Sequence, residues 1–110
     1  MKLIKSIVRP NKVDDVRDAL ERLNIAGMTV TDVRGHGRQK GHTAVYRGKE
    51  YAVTLLPKVE IEVVVPNDVV EEVIQAIIAA ARTGEIGDGR VFVLPVDVGY
   101  NIRTGEQDIV

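Results

Sequence analysis

The stretch Thr83-Gly-Glu-Ile-Gly-Asp-Gly-Arg90 gathers three glycines, an aspartate and an arginine within eight residues. Glycine tolerates positive φ and lets backbone approach a ligand closely, so successive N–H groups can converge on a phosphate while Arg90 supplies charge. Gly84 and Gly89 have the separation of a Walker loop, but Arg90 and Val91 stand where that motif needs Lys and Ser or Thr. The stretch also follows an expected helix and precedes an expected strand, the reverse of the P-loop order. One glycine suffices to end a helix, and three with Asp and Arg favour an anion site.

A second glycine-rich stretch, Gly35-His-Gly-Arg-Gln-Lys-Gly41, mixes glycine with basic and amide side chains but lacks the spacing of a dinucleotide fingerprint. It opens a basic segment: Arg34, Arg38, Lys40, Arg47 and Lys49 occur without one acidic residue, beside His36, His42 and Tyr46, with Tyr51 following. Such a loop suits anions or partner proteins, and its length and charge sign favour function over a solvated hairpin tip. If the two glycine loops converge, they make a polyphosphate pocket. The tail motif Arg103-Thr-Gly-Glu106 is either a frayed terminus or a source of one more cation for a neighbouring subunit.

Other chemistries lack residues. The 110-residue chain has no Cys, two His and one serine, Ser6, which falls inside an expected strand. That leaves no disulfide framework, no thiolate metal site and no nucleophile elbow. A lone Phe, Phe92, is too little for a base-stacking RNA face. Fifteen basic against sixteen acidic side chains give no global charge that would draw nucleic acid. A binding or signalling module therefore outranks a catalyst. The N-terminus reads as a strand and the most apolar stretch, Val73 to Ala81, is too short to span a membrane, so one soluble, cytoplasmic domain over residues 1–110 is expected.

The elements that must position these loops follow from periodicity. Leu3 to Val8 predicts a strand stopped by Arg9-Pro10. Asn11 is expected to cap a helix whose Val13, Val16, Leu20 and Leu23 recur at intervals of three and four, running to about Asn24. Met28 to Val33 reads as a strand, followed by about twenty residues without either period, a length that in a compact domain marks a functional loop or disorder. From Leu55 onward Val59, Ile61, Val63 and Val65 alternate with Lys58, Glu60, Glu62 and Val64. Pro66-Asn67-Asp68 then opens a second helix with Val70, Val73, Ile74, Ile77, Ile78 and Ala81 as its buried stripe. Arg90 to Val96 is the last strand, marked as an edge by Pro95. The order β-α-β-β-α-β is the split βαβ, ferredoxin-like α+β plan, with both helices on one face and the other face left for neighbouring subunits.

At these residues the sequence closely resembles the P-II signal-transduction proteins, trimeric sensors of nitrogen and energy status. The resemblance covers nearly the whole chain and rests on Gly27-Met-Thr-Val-Thr31, Gly35-His-Gly-Arg-Gln-Lys-Gly-His42, Tyr46-Arg-Gly-Lys-Glu-Tyr51, Leu56-Pro-Lys-Val59 and Thr83-Gly-Glu-Ile-Gly-Asp-Gly-Arg90. It implies a homotrimer with ATP or ADP in clefts between subunits, a protruding T-loop over about Gly37 to Leu55, a phosphate-binding B-loop over about 82–90 and a C-terminal segment over about 97–110. Thr29, Glu62 and Val64 would surround the adenine, and Gly87, Asp88, Gly89 and Arg90 would cradle the phosphates. Gly35, Gly37, Arg38 and Gln39 would approach from the other side, with Asn101 and Arg103 at the adjacent subunit's edge. Gln39 would ligate Mg²⁺, and 2-oxoglutarate would meet Arg9, Lys58 and the backbone of Gln39, Lys40 and Gly41.

The same resemblance implies T-loop partners among ammonium channels, nitrogen-metabolism enzymes and sensor kinases, and nucleotidylylation, such as uridylylation, of Tyr51. It implies neither nucleic-acid binding nor membrane insertion. Two departures stand out: Asn101 replaces a usual Arg, removing one phosphate-reaching charge, and Arg90 replaces a usual Lys. Weaker nucleotide affinity, or an altered balance of ATP against ADP, is the expectation at Asn101. A relative that answers to another metabolite, and a trimeric divalent-cation-binding protein of the same architecture, are the alternatives.

Overall fold

β-Branched and aliphatic residues at alternate positions make Lys2–Val8 a strand, β1, that turns Ile4, Ser6 and Val8 inward. The computed structural model describes residues 1–36, 43–46, 49–52 and 55–108, the two short middle stretches by their backbone only. Ser6 is the one buried polar residue among those described, and its hydroxyl donates to the Ile61 carbonyl at 3.3 Å, which meets the cost of burying it.

Pro10 ends β1 and starts a single 3₁₀ turn, Pro10–Lys12, which feeds helix α1, Val13–Arg22. The expected cap at Asn11 is therefore corrected: Asn11 lies inside the 3₁₀ turn, and neither the turn nor α1 has a side-chain cap hydrogen bond. Asp14 and Asp15 instead face the positive end of the helix dipole. Val16 and Leu20 are buried, and the helix ends at Arg22, two residues before the expected boundary, because Asn24 adopts φ 61° and the Ile25 N–H closes back onto the Leu20 carbonyl at 3.0 Å.

Strand β2 spans Thr29–Gly35, slightly later than expected. The segment expected to lack regular structure contains a backbone hairpin, β3 (Thr43–Tyr46) paired with β4 (Lys49–Ala52). Strands of four residues are too short to give a readable period, which is why the sequence did not reveal it. Strand β5, Leu56–Val65, shows the expected alternation, with Val59, Ile61, Val63 and Val65 buried. Pro66 precedes a second 3₁₀ turn, Asn67–Val69, again without an asparagine cap, and α2, Val70–Ala81, buries Val73, Ile77 and Ala81.

Strand β6, Gly89–Pro95, completes a four-stranded antiparallel sheet in the order β2-β5-β1-β6. The chain is α+β with the ferredoxin-like order β-α-β-β-α-β, and Pro95 sits at the end of an edge strand, where its missing N–H breaks no ladder. Both helices pack on one face around Ile4, Val16, Leu20, Ile61, Val73 and Ile77. Truncating one of these large aliphatic side chains to Ala costs about 2–5 kcal/mol. A final ribbon pairs β7, Gly99–Tyr100, with β8, Gln107–Asp108.

The second face of the sheet carries no helix. Register places Thr29, Thr31 and Val33 of β2, Lys58, Glu60, Glu62 and Val64 of β5, Leu3, Lys5 and Ile7 of β1, and Arg90, Phe92 and Leu94 of β6 on it. Lys5 bridges to Glu60 at 3.5 Å. Phe92 and Leu94 are 46% and 40% exposed, so the β6 edge of this face is apolar and open.

Candidate functional site

The sheet's open face and the loop between α2 and β6 meet at one end of the molecule. The loop's shape depends on glycine at two positions. Gly87 has φ 102° and Gly89 has φ 108°. A Cβ on Gly89 would fall 1.7 Å from the Ile7 carbonyl oxygen, so β6 can begin against β1 only with no side chain there.

Asp88 holds the loop from inside. Its carboxylate accepts from the Thr83 hydroxyl, from the Thr83 N–H at 2.9 Å and from the Gly84 N–H at 2.8 Å. The Thr83 hydroxyl in turn accepts from the Glu85 N–H at 3.1 Å. Burial pushes the Asp88 carboxyl up, but the bonds from Thr83, Gly84 and Arg9 outweigh it and hold the group well below the usual carboxylate range.

Two cations reach the loop from the sheet. Arg9, just past β1, pairs its Nε with Asp88 Oδ1 at 3.1 Å and donates through Nη2 to the Ile86 carbonyl at 3.1 Å. Lys58 of β5 donates to the Gly87 carbonyl at 2.6 Å. Burial and the neighbouring Arg9 charge lower the Lys58 pKa, partly opposed by Asp88. Arg90, on the same face as Lys58, adds a third cation. Lys58 and Arg90 line a cleft of about 620 Å³ together with Gly35 and residues 85–89, and Arg9 is bonded to its rim through Asp88 and Ile86. Three cations face two carboxylates, Glu85 and Asp88, and Asp88 is already engaged by Arg9, so the balance of charge at the cleft suits an anion.

Among the described residues no cluster of three or more His, Cys, Asp or Glu could hold a metal ion. No helix among them is long and apolar enough to cross a membrane.

The family model described as "Nitrogen regulatory protein P-II" matches residues 1–106. The chain belongs to the P-II family. It is 57% identical over 108 residues to Nitrogen regulatory protein P-II 1 of Escherichia coli K12, a match covering 98% of this chain and 96% of that protein. The Nitrogen regulatory protein P-II of Haemophilus influenzae is 56% identical and that of Rhizobium etli 53%, each with the same coverage of both chains. These relatives are regulatory proteins of nitrogen metabolism, and the P-II family acts in signal transduction through contacts with other proteins.

The structure gathers some of the expected P-II site residues and separates others. Gly35, Lys58, Gly87, Asp88, Gly89 and Arg90 line the cleft, and Arg9 is bonded to its rim. Thr29 pairs directly with Glu62, with Val64 two positions further along β5 on the same open face, but none of the three lines the cleft. Arg103 and Asn101 belong to the tail ribbon. The Asn101 side chain is engaged locally: its Oδ1 accepts from the Thr104 N–H at 3.1 Å, while its carbonyl accepts from the Gly105 N–H at 2.8 Å. Gly37, Arg38, Gln39, Lys40 and Gly41 lie outside the described residues, and Tyr51 is placed only as part of the β4 backbone.

Sequence reasoning missed Thr83. Its spacing of five from Asp88 was the available signal, since a hydroxyl and a carboxylate at the two ends of a glycine-rich turn can close on each other.

Proposed function

We propose that this P-II family member senses ATP or ADP together with 2-oxoglutarate, and that it regulates nitrogen-metabolism enzymes, transporters or sensor kinases through the loop over about residues 37–55. The observation that carries the reading is the convergence of Arg9, Lys58 and Arg90 on the glycine-built loop 84–89 at the open face of the sheet. Backbone freed from side chains at Gly87 and Gly89 fits a polyphosphate, and the pair of cations Arg9 and Lys58 fits a dicarboxylate.

Each proposed ligand has a residue set of the right chemistry. Gly87, Asp88, Gly89 and Arg90 would hold the phosphates by backbone N–H groups and the Arg90 guanidinium. Thr29, Glu62 and Val64 form a separate patch on the open face, which suits an adenine bound between neighbouring subunits. The exposed Phe92 and Leu94 on that face support closure of the sheet by other copies of the chain into a homotrimer. Mg²⁺, a hard cation that prefers oxygen, would be held mainly by nucleotide phosphates with Gln39, and would supply charge linking the phosphates to the 2-oxoglutarate carboxylate. Arg9 and Lys58, in turning toward a dicarboxylate, would loosen their hold on Ile86, Gly87 and Asp88, so the two sites share donors.

The test is equilibrium binding of ATP to the purified protein and to its Arg90→Ala variant. Saturable binding that weakens about tenfold or more without the guanidinium supports the reading. Absence of ATP binding to the wild-type protein contradicts it.

A further inference from the structure

The loop between α2 and β6 is closed by a pair of residues, Asp88 on the lining of the cleft and Thr83 outside it. Thr83 and Asp88 meet through two bonds, hydroxyl to carboxylate and N–H to carboxylate, and the Gly84 N–H adds a third to the same group. The first N–H groups of the glycine-rich stretch are thereby spent inside the loop, so they are not the donors an anion would meet. An entering phosphate depends on the later backbone, Gly87 to Arg90, whose course is fixed at one end by the Asp88 side chain and at the other by Gly89 against Ile7.

We infer that Thr83 is a positioning residue for the anion site: with Asp88 it forms a clasp that preorganises the Gly87–Arg90 backbone for phosphate, without touching the ligand itself. This rests on the nucleotide reading above. The clasp works as preorganisation does generally, by removing the ordering cost that a loose glycine loop would otherwise meet on binding. Threonine suits the task because its hydroxyl both donates to Asp88 and accepts from the Glu85 N–H, so one side chain fixes both the start and the end of the turn.

The experiment measures ATP affinity by calorimetry in the full-length protein with Mg²⁺, for wild type, Thr83→Val, Thr83→Ser, Asp88→Ala and the Thr83→Val/Asp88→Ala double variant. Valine keeps the shape and removes the hydroxyl, and serine restores it. The expected result is about a tenfold loss for Thr83→Val, recovery in Thr83→Ser, and no further loss when Thr83→Val is added to Asp88→Ala. Because Thr83 is exposed and outside the core, Thr83→Val is expected to keep a cooperative melt well above the titration temperature, with Thr83→Ser at the wild-type value, which separates positioning from a general loss of structure. A Thr83→Val variant that binds ATP as wild type does, or additive losses in the double variant, overturns the inference while leaving the nucleotide reading standing. A wild-type protein that takes up no ATP overturns both.

Discussion

Arg9 Nε lies 3.1 Å from Asp88 Oδ1, joining the end of the first strand to a loop 79 positions later in the chain. The pair is mostly shielded, with 20% and 24% of the two side chains exposed, and it ties the sheet's open face to the glycine loop. A charge-assisted contact in that setting does more than a surface ion pair, because it also fixes where the loop's carbonyls and N–H groups point.

Asp88 makes stability depend on acid in a defined direction. Its carboxyl is depressed in the folded protein relative to the ordinary value of 3.8, so its contribution is present above that pH and is lost as pH falls toward the folded value. Thermal melts of wild type and Asp88→Asn are expected to differ at neutral pH and to converge below pH 3.8. A gap between the two that is constant across this range would contradict the assignment.

Much of this site was not legible in the sequence. The alternation of Val59 to Val65 and the stripe of α2 exposed the core and the open face directly, because burial on one side imposes a period of 2 or 3.6. The start of the first helix differs from the sequence reading: Asn11 follows Pro10, whose fixed φ starts a 3₁₀ turn that carries the asparagine past the capping position, and the same Pro-Asn order at Asn67 gives a second such turn. The two glycine loops marked themselves by composition. The contacts of Arg9 and Lys58 with residues 86–88 depend on how β1, β5 and β6 stack laterally, and no local pattern encodes that. Asn101 read as a missing charge, whereas its amide oxygen is committed to the Thr104 N–H.

Gly89→Ala is expected to be severe. A methyl group there meets the Ile7 carbonyl within 1.7 Å at a φ that L-residues avoid, so β6 must part from β1 or the loop must shift. The cost is about 3 kcal/mol or more, readable by urea denaturation. Gly84→Ala, which meets nothing within 4 Å, provides the comparison and should cost less despite its own positive φ.

Asn101→Ala should release the tail turn without unfolding the domain. Loss of the Oδ1 acceptor frees the Thr104 N–H, and amide hydrogen exchange at Thr104 and Gly105 is expected to rise severalfold. The melting temperature should move by no more than about 2 °C, since the ribbon packs outside the core.

Lys58→Met should remove dicarboxylate binding while leaving nucleotide binding within about threefold. The methionine keeps the apolar stem that lies beside Gly35 and deletes only the charge. Parallel titrations of ATP and of 2-oxoglutarate into the variant check this, and equal losses for the two ligands would count against separate roles for Lys58 and Arg90.

The most direct test of the central claim is calorimetric titration of 2-oxoglutarate into the wild-type protein, with ATP and Mg²⁺ present, with each alone and with neither. Binding that occurs only when ATP and Mg²⁺ are both present is the predicted result, because on the proposed reading Arg9 and Lys58 alone would offer half a site and the rest would be built on a nucleotide held by Gly87 to Arg90. Binding of 2-oxoglutarate that is indifferent to nucleotide, or no binding under any of these conditions, would contradict it.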